Sequence, residues 1–120
     1  MDEKVNAEIT KENGIAVVAF TAASISSVEG ITAISDSIKE FIDKNRPNSL
    51  VFDFEGVKFF SSQVLGMLLD IRAKLKAYDG KVVISAINPR LHRVFKITNL
   101  DKVFTFFPNK ENAVKVMSTN

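Results

Sequence analysis

A chain of 120 residues, 46% hydrophobic and 25% charged, has the balance of one globular domain with a core it can bury unaided. Its 16 basic and 14 acidic side chains leave a net charge of +2, too little for a global pull toward nucleic acid or acidic lipid. The absence of cysteine excludes disulfides, thiolate zinc sites and cysteine nucleophiles, and suits a reducing cytoplasm. Met1-Asp2-Glu3-Lys4 does not open a signal peptide, and no apolar run nears the ~20 residues of a bilayer span. The expectation is a soluble cytoplasmic domain covering residues 1–120, without a membrane segment.

The first segment alternates through Val5, Ala7 and Ile9, turns at Asn13-Gly14, and alternates again through Ile15, Val17 and Ala19. Asn-Gly between alternating runs signals a hairpin, with strands near 4–10 and 15–21. Ser26 and Glu29 have capping-box spacing. Val28, Ile31, Ile34, Ile38 and Phe41 then recur at helical spacing, and Pro47 ends a helix over about 27–44. Leu50 to Phe54 is short and almost wholly apolar, as a strand buried on both faces should be.

A second helix is expected to open at Ser61-Ser62, present Leu65, Leu68, Ile71, Leu75 and Tyr78 to the core, and close at Asp79-Gly80. Lys81 to Ile87 reads as another buried strand. Pro89 starts a third helix with Leu91, Val94, Phe95 and Leu100 as its apolar positions. Val103 to Phe107 reads as a last strand, followed by a helix over about 110–117 and a frayed end. The order ββαβαβαβα predicts an α/β fold whose sheet is mixed and mostly parallel, with helices packed on it.

Catalytic signals are sparse. His92 is the sole histidine, and no G-x-S-x-G elbow presents a serine to it, so it reads as a partly exposed helix residue. Five glycines form neither G-x-G-x-x-G nor a P-loop, and one histidine without cysteine makes a poor zinc site. Asp53 and Glu55 flank Phe54 at a strand end, where carboxylates are more often solvated or cap a helix than catalytic. The clusters Arg72, Lys74, Lys76 and Arg90, Arg93, Lys96 read as solvated helix faces, at most attracting an acidic protein surface. No catalytic residue, metal or cofactor is expected, and the chain reads as a binding module and not an enzyme.

The informative stretch is Phe59-Phe60-Ser61-Ser62-Gln63-Val64-Leu65-Gly66, where a strand ends and two serines meet a helix start. One serine can cap the helix, and a helix N-terminus also favours an anion such as phosphate. Together with Leu50 to Val57, Gly80 to Ile84 and Asn88 to Phe104, this stretch resembles the STAS domain of bacterial anti-sigma factor antagonists, over residues 5 to 116. Phe60 to Leu69 is similar to the family signature Asp-Ser-Ser-Gly-Leu-Gly followed by apolar residues, but has Ser61 for the acid, Gln63 after the acceptor and Val64 for the glycine.

The resemblance implies a partner-binding switch. An anti-sigma factor, often itself a serine kinase, is bound, and phosphorylation at the start of the second helix breaks the complex until a phosphatase restores it. By position the phosphoacceptor is Ser62, with Ser61 as the alternative. The implied partner-binding residues are Ser61, Ser62, Gln63 and Val64, joined by Ser26 and Ser27 from a loop expected nearby. The other reading keeps the fold as an interaction or scaffold module that is never phosphorylated.

Overall fold

In a computed structural model, residues 7–118 are described. Strands β1 (Ala7–Glu12) and β2 (Ile15–Phe20) form the expected hairpin. Asn13 and Gly14 both have positive φ, at 54° and 81°, the conformation that a two-residue turn matched to strand twist demands. Pairing continues to Glu12↔Ile15 at the turn, so β1 runs further than expected, while positions 4–6 of the expected strand lie outside the described residues.

Helix α1 (Val28–Asn45) leads to β4 (Ser49–Asp53), α2 (Ser62–Lys76) to β6 (Lys81–Ser85), and α3 (Pro89–Ile97) to β7 (Thr105–Phe107). The five-stranded sheet has the order β1-β2-β4-β6-β7, antiparallel only at the hairpin. Successive crossovers step in one direction across this sheet. With one hand of crossover, all three helices are therefore laid on one face. Ile31, Ile34, Ile38 and Ile42 of α1, Leu68, Ile71 and Leu75 of α2 and Leu91 and Phe95 of α3 meet Val18, Leu50, Phe52 and Ile84 there. The opposite face is covered by α4 (Lys110–Ser118), whose Ala113, Val114 and Met117 pack on Ile15, Val17, Val51 and Val83. Period-2 alternation along the strands divides the two cores.

Two short strands were not anticipated: β3 (Ser24–Ile25) and β5 (Phe59–Phe60) pair in parallel as a separate sheet. Several boundaries also moved. Ser27, not Ser26, caps α1, accepting from the Gly30 amide at 3.1 Å. The rotation that buries Ile31, Ile34, Ile38 and Ile42 turns Val28 out to 59% exposure and leaves Phe41 half-buried. Ala86, at φ 57°, ends β6 before Ile87. A 3-10 turn at Leu100–Lys102 holds Val103 outside β7.

At the end of α2 the left-handed residue is Asp79 (φ 69°), while Gly80 donates to the Leu75 carbonyl at 2.8 Å. Glycine is needed there for space: a Cβ would lie 3.0 Å from Leu75 Cβ and 3.1 Å from its carbonyl oxygen. Tyr78 falls beyond α2, not on its apolar face. Its hydroxyl donates to the Pro47 carbonyl at 2.8 Å, and the Arg46 guanidinium sits 4.3 Å from its ring centroid.

Burial raises the pKa of the Tyr78 phenol above 10.0, opposed by the charges of Arg46 and Lys74. A raised folded pKa means that the neutral phenol is favoured by folding. Its contribution is complete below the unfolded pKa and disappears as pH rises through the folded one. Tyr78 is the only tyrosine and tryptophan is absent, so absorbance at 295 nm reports this group alone. The native midpoint is expected above that of the urea-unfolded chain. Tyr78→Phe should cost about 1 kcal/mol at neutral pH, with a flatter loss of stability above pH ~10. Coincident native and unfolded midpoints would contradict this account of the contact.

Candidate functional site

The site is built on the β3–β5 pair. Ser24 lies beside Phe59 and Ile25 beside Phe60. The Ala23 carbonyl accepts from the Lys58 and Phe59 amides at 2.8 and 3.1 Å, and the Ile25 carbonyl from the Ser61 amide at 3.0 Å. Ser26 and Ser27 then lead into α1, and Ser61 into α2. Paired strands followed by such short links bring the two helix N-termini side by side, each adding the positive end of its dipole to one surface. The loop containing Ser26 and Ser27 is thus a spatial neighbour of Ser61 and Ser62.

Adjacent residues of a strand face opposite ways, and β5 uses both directions. Phe60 is buried and joins an aromatic chain, 5.8 Å from Phe54 and 6.1 Å from Phe95 between ring centroids. Phe59 points out and is 53% exposed. The Phe-Phe doublet therefore signals one anchor and one surface ring. Sequence reasoning missed this exposed Phe59, and also Val28, at the first residue of α1.

The two serines are not equivalent. Ser61 occupies the cap position of α2, but its side chain makes no capping bond. Its Oγ is buried and has no hydrogen-bond partner among the described residues. The Val64 amide instead reaches the Ser61 carbonyl at 3.0 Å. Ser62 and Gln63, the next two residues, are exposed. Val64 is fully buried in the main core and cannot touch a partner, which corrects its expected place on the contact surface. In this chain the position that is glycine in the signature is an ordinary helix residue, without the positive φ that glycine would serve.

From Gln63 an open groove of about 400 Å³ runs between α1 and α2, past Gly66 and Asp70 on one side and Thr32, Ser35 and Lys39 on the other. A Cβ built at Gly66 meets nothing within 4 Å, so the groove floor is open there. Lys39 and Asp70 face each other across it at 3.9 Å.

The remaining candidates are structural in their surroundings. Asp53 is neither solvated nor a helix cap, as had been expected. On the central strand β4 it is 7% exposed, level with Ser85, whose Oγ donates to Oδ1 at 3.0 Å. Glu55 is exposed, and its amide reaches the same Oδ1 at 3.4 Å. His92 is half-buried against Phe106, at 4.4 Å between ring centroids. Among the described residues no group of three or more His, Asp or Glu side chains is arranged to hold a metal ion.

The STAS domain model matches residues 6–113. The chain belongs to the STAS domain family. It is 24% identical over 75 residues to an anti-sigma F factor antagonist of Paenibacillus polymyxa, a match covering 62% of this chain and 64% of that protein. An anti-sigma-factor antagonist (STAS) domain protein of Planctomyces limnophilus superposes with a TM-score of 0.84 at 20% identity, over 96% of this chain and 99% of that one. SpoIIAA, a Bacillus cell fate determinant, in its phosphorylated form, superposes with a TM-score of 0.74 at 18% identity, over 92% and 98%. This STAS fold places Ser62 at the outer start of α2 and Ser61 beneath it.

The contrast between serines has a measurable consequence. Ser27→Ala removes a cap bond and should cost about 1 kcal/mol in urea unfolding. Ser61→Ala removes a buried hydroxyl that satisfies nothing, so equal or greater stability is expected. A loss of about 1 kcal/mol at both positions would mean that Ser61 caps α2 in solution.

Proposed function

We propose that this chain is an anti-sigma factor antagonist, binding an anti-sigma factor of the serine kinase type and released when Ser62 is phosphorylated. The contact surface comprises Ser26, Ser27, Phe59, Ser62, Gln63 and the groove side of α2. A phosphatase resets the switch, and the exchange takes place in the cytoplasm without a cofactor. The observation that carries this reading is the exposed Ser62 at the first residue of α2, beside the N-terminus of α1. Ser61 is the poorer acceptor, because its hydroxyl is buried.

The physical logic supports a switch. A phosphoserine carries about −1.5 to −2 charges at pH 7. At a helix N-terminus in water the fold tolerates that charge, since the dipole and free amides favour it. Within a closed interface the same group must be desolvated, and the complex weakens. A second reading is a constitutive interaction module using the same surface, and Ser61, Gln63 and Val64 in place of the signature residues favour it.

The test is incubation with ATP and each kinase-type anti-sigma factor of the same cell, read by intact mass and peptide mapping, with Ser62→Ala as control. Phosphate on Ser62 is expected, and Ser62→Asp should weaken partner binding by about tenfold or more while the melting temperature holds. Binding without phosphate would select the constitutive module, and neither binding nor phosphate would overturn both readings. Gly66→Leu should fold normally, because its site is open, yet lower partner affinity by about tenfold.

A further inference from the structure

Charge is unevenly distributed along this nearly neutral chain. Residues 1–70 hold six Lys and Arg against eleven Asp and Glu, whereas residues 71–107 hold eight against Asp79 and Asp101. In the fold the cations separate further. Lys39, Lys44, Lys74 and Lys110 are paired with carboxylates. Arg72, Lys76, Lys81, Arg90, Arg93, Lys96 and Lys102 form no ion pair among the described residues; Lys11, Arg46, Lys58 and Lys115 form none either, but lie outside residues 71–107.

Three of these free cations surround a notch. The β6–β7 ladder begins at Val83↔Thr105, so Lys81 and Val82 extend past the start of the edge strand. The space beside them is a concavity of about 320 Å³, with Arg72, Lys76 and Lys81 around Val82, Val83 and Val103. Asp79 and Thr105 also line it, and Lys102 lies one residue before Val103. Ser62 and Lys76 stand at opposite ends of α2, about 20 Å apart at 1.5 Å per residue.

We propose that this notch is a second docking surface, independent of Ser62, which takes an extended acidic segment of a partner protein. One carboxylate enters among Arg72, Lys76 and Lys81, an aliphatic neighbour rests on half-buried Val103, and a further acid meets Lys102. Shape favours a peptide over a bilayer: a planar surface does not reach into a concavity, and membrane-surface helices present a broad apolar face. Ile97 is the one exposed large apolar side chain described between residues 71 and 107. Single-stranded nucleic acid would require exposed aromatic rings for stacking, and Phe59, outside this region, is the only one among the described residues.

The experiment is fluorescence anisotropy of the full chain with a labelled Glu-Leu-Glu-Leu-Glu peptide, at low and then raised ionic strength. Saturable, salt-sensitive binding is expected, weakened about tenfold by the double variant Arg72→Glu, Lys76→Glu. The charge-matched Lys11→Glu, Lys44→Glu variant should change it less than about twofold. Should the first double variant misfold by circular dichroism, exposed Lys81→Gln provides the same comparison. Ser62→Asp should bind the peptide like the parent chain, whatever the fate of the anti-sigma factor complex. Equal weakening by both double variants would reveal a mere net-charge effect and overturn the proposal. So would absent binding, a loss with Ser62→Asp, or tighter capture of phosphatidylserine vesicles or single-stranded DNA.

Discussion

The candidate site depends on one small pairing, β3 with β5. Two residues on each side form it, and the buried side chains of Ile25 and Phe60 hold it to the core. Without that pairing the loops before α1 and α2 would be free to splay, and Ser26, Ser27 and Ser62 would not share a surface. A two-residue ladder has too few hydrogen bonds to persist in water alone. It persists because Phe60 packs into the chain of rings from Phe54 to Phe95, so tertiary burial positions the local backbone.

The main sheet explains why this surface stays open. Helices α1 to α3 share a face because every crossover has the same hand and direction, and α1 and α2 consequently lie side by side. With α4 covering the opposite face, both sides of β4 are dry. A dry β4 can keep Asp53 only because Ser85 and the Glu55 amide supply hydrogen bonds to it. Asp53 is therefore tied into the scaffold through its Oδ1. The same dryness fixes Val64 in the core and leaves Ser62 and Gln63 as the polar edge of α2.

Most of this architecture was legible because burial imposes a period. The isoleucines of α1, the apolar runs of β4 and β6 and the Asn13-Gly14 turn each carry a signal within a few residues. The failures share a cause: they depend on contacts distant in sequence. Strands as short as β3 and β5 have no period to read. Capping-box spacing pointed to Ser26, yet Ser27 caps the helix, in the rotation that buries Ile31. Tyr78 matched the apolar face of α2 by spacing, yet its hydroxyl is held by Pro47, 31 residues away. The family resemblance ranked Ser62 above Ser61 by position alone, and the three-dimensional placement adds the physical contrast of a buried Ser61 hydroxyl beside an exposed Ser62.

The proposed phosphorylation switch needs a position where charge is cheap for the fold and costly for the complex. Buried sites fail the first condition, since an isolated dianion in the core would unfold the domain. Exposed sites remote from the partner fail the second, because water and salt screen the added charge. The first turn of α2, which has no side-chain cap, meets both conditions if it lies at the rim of the proposed contact. In the free chain, water and helix amides would solvate a phosphate there, and in the proposed complex that solvation would be surrendered. The burial of the Ser61 hydroxyl fits the proposed scheme, because an Oγ drawn inward makes no cap bond that would compete with Ser62 for the helix end.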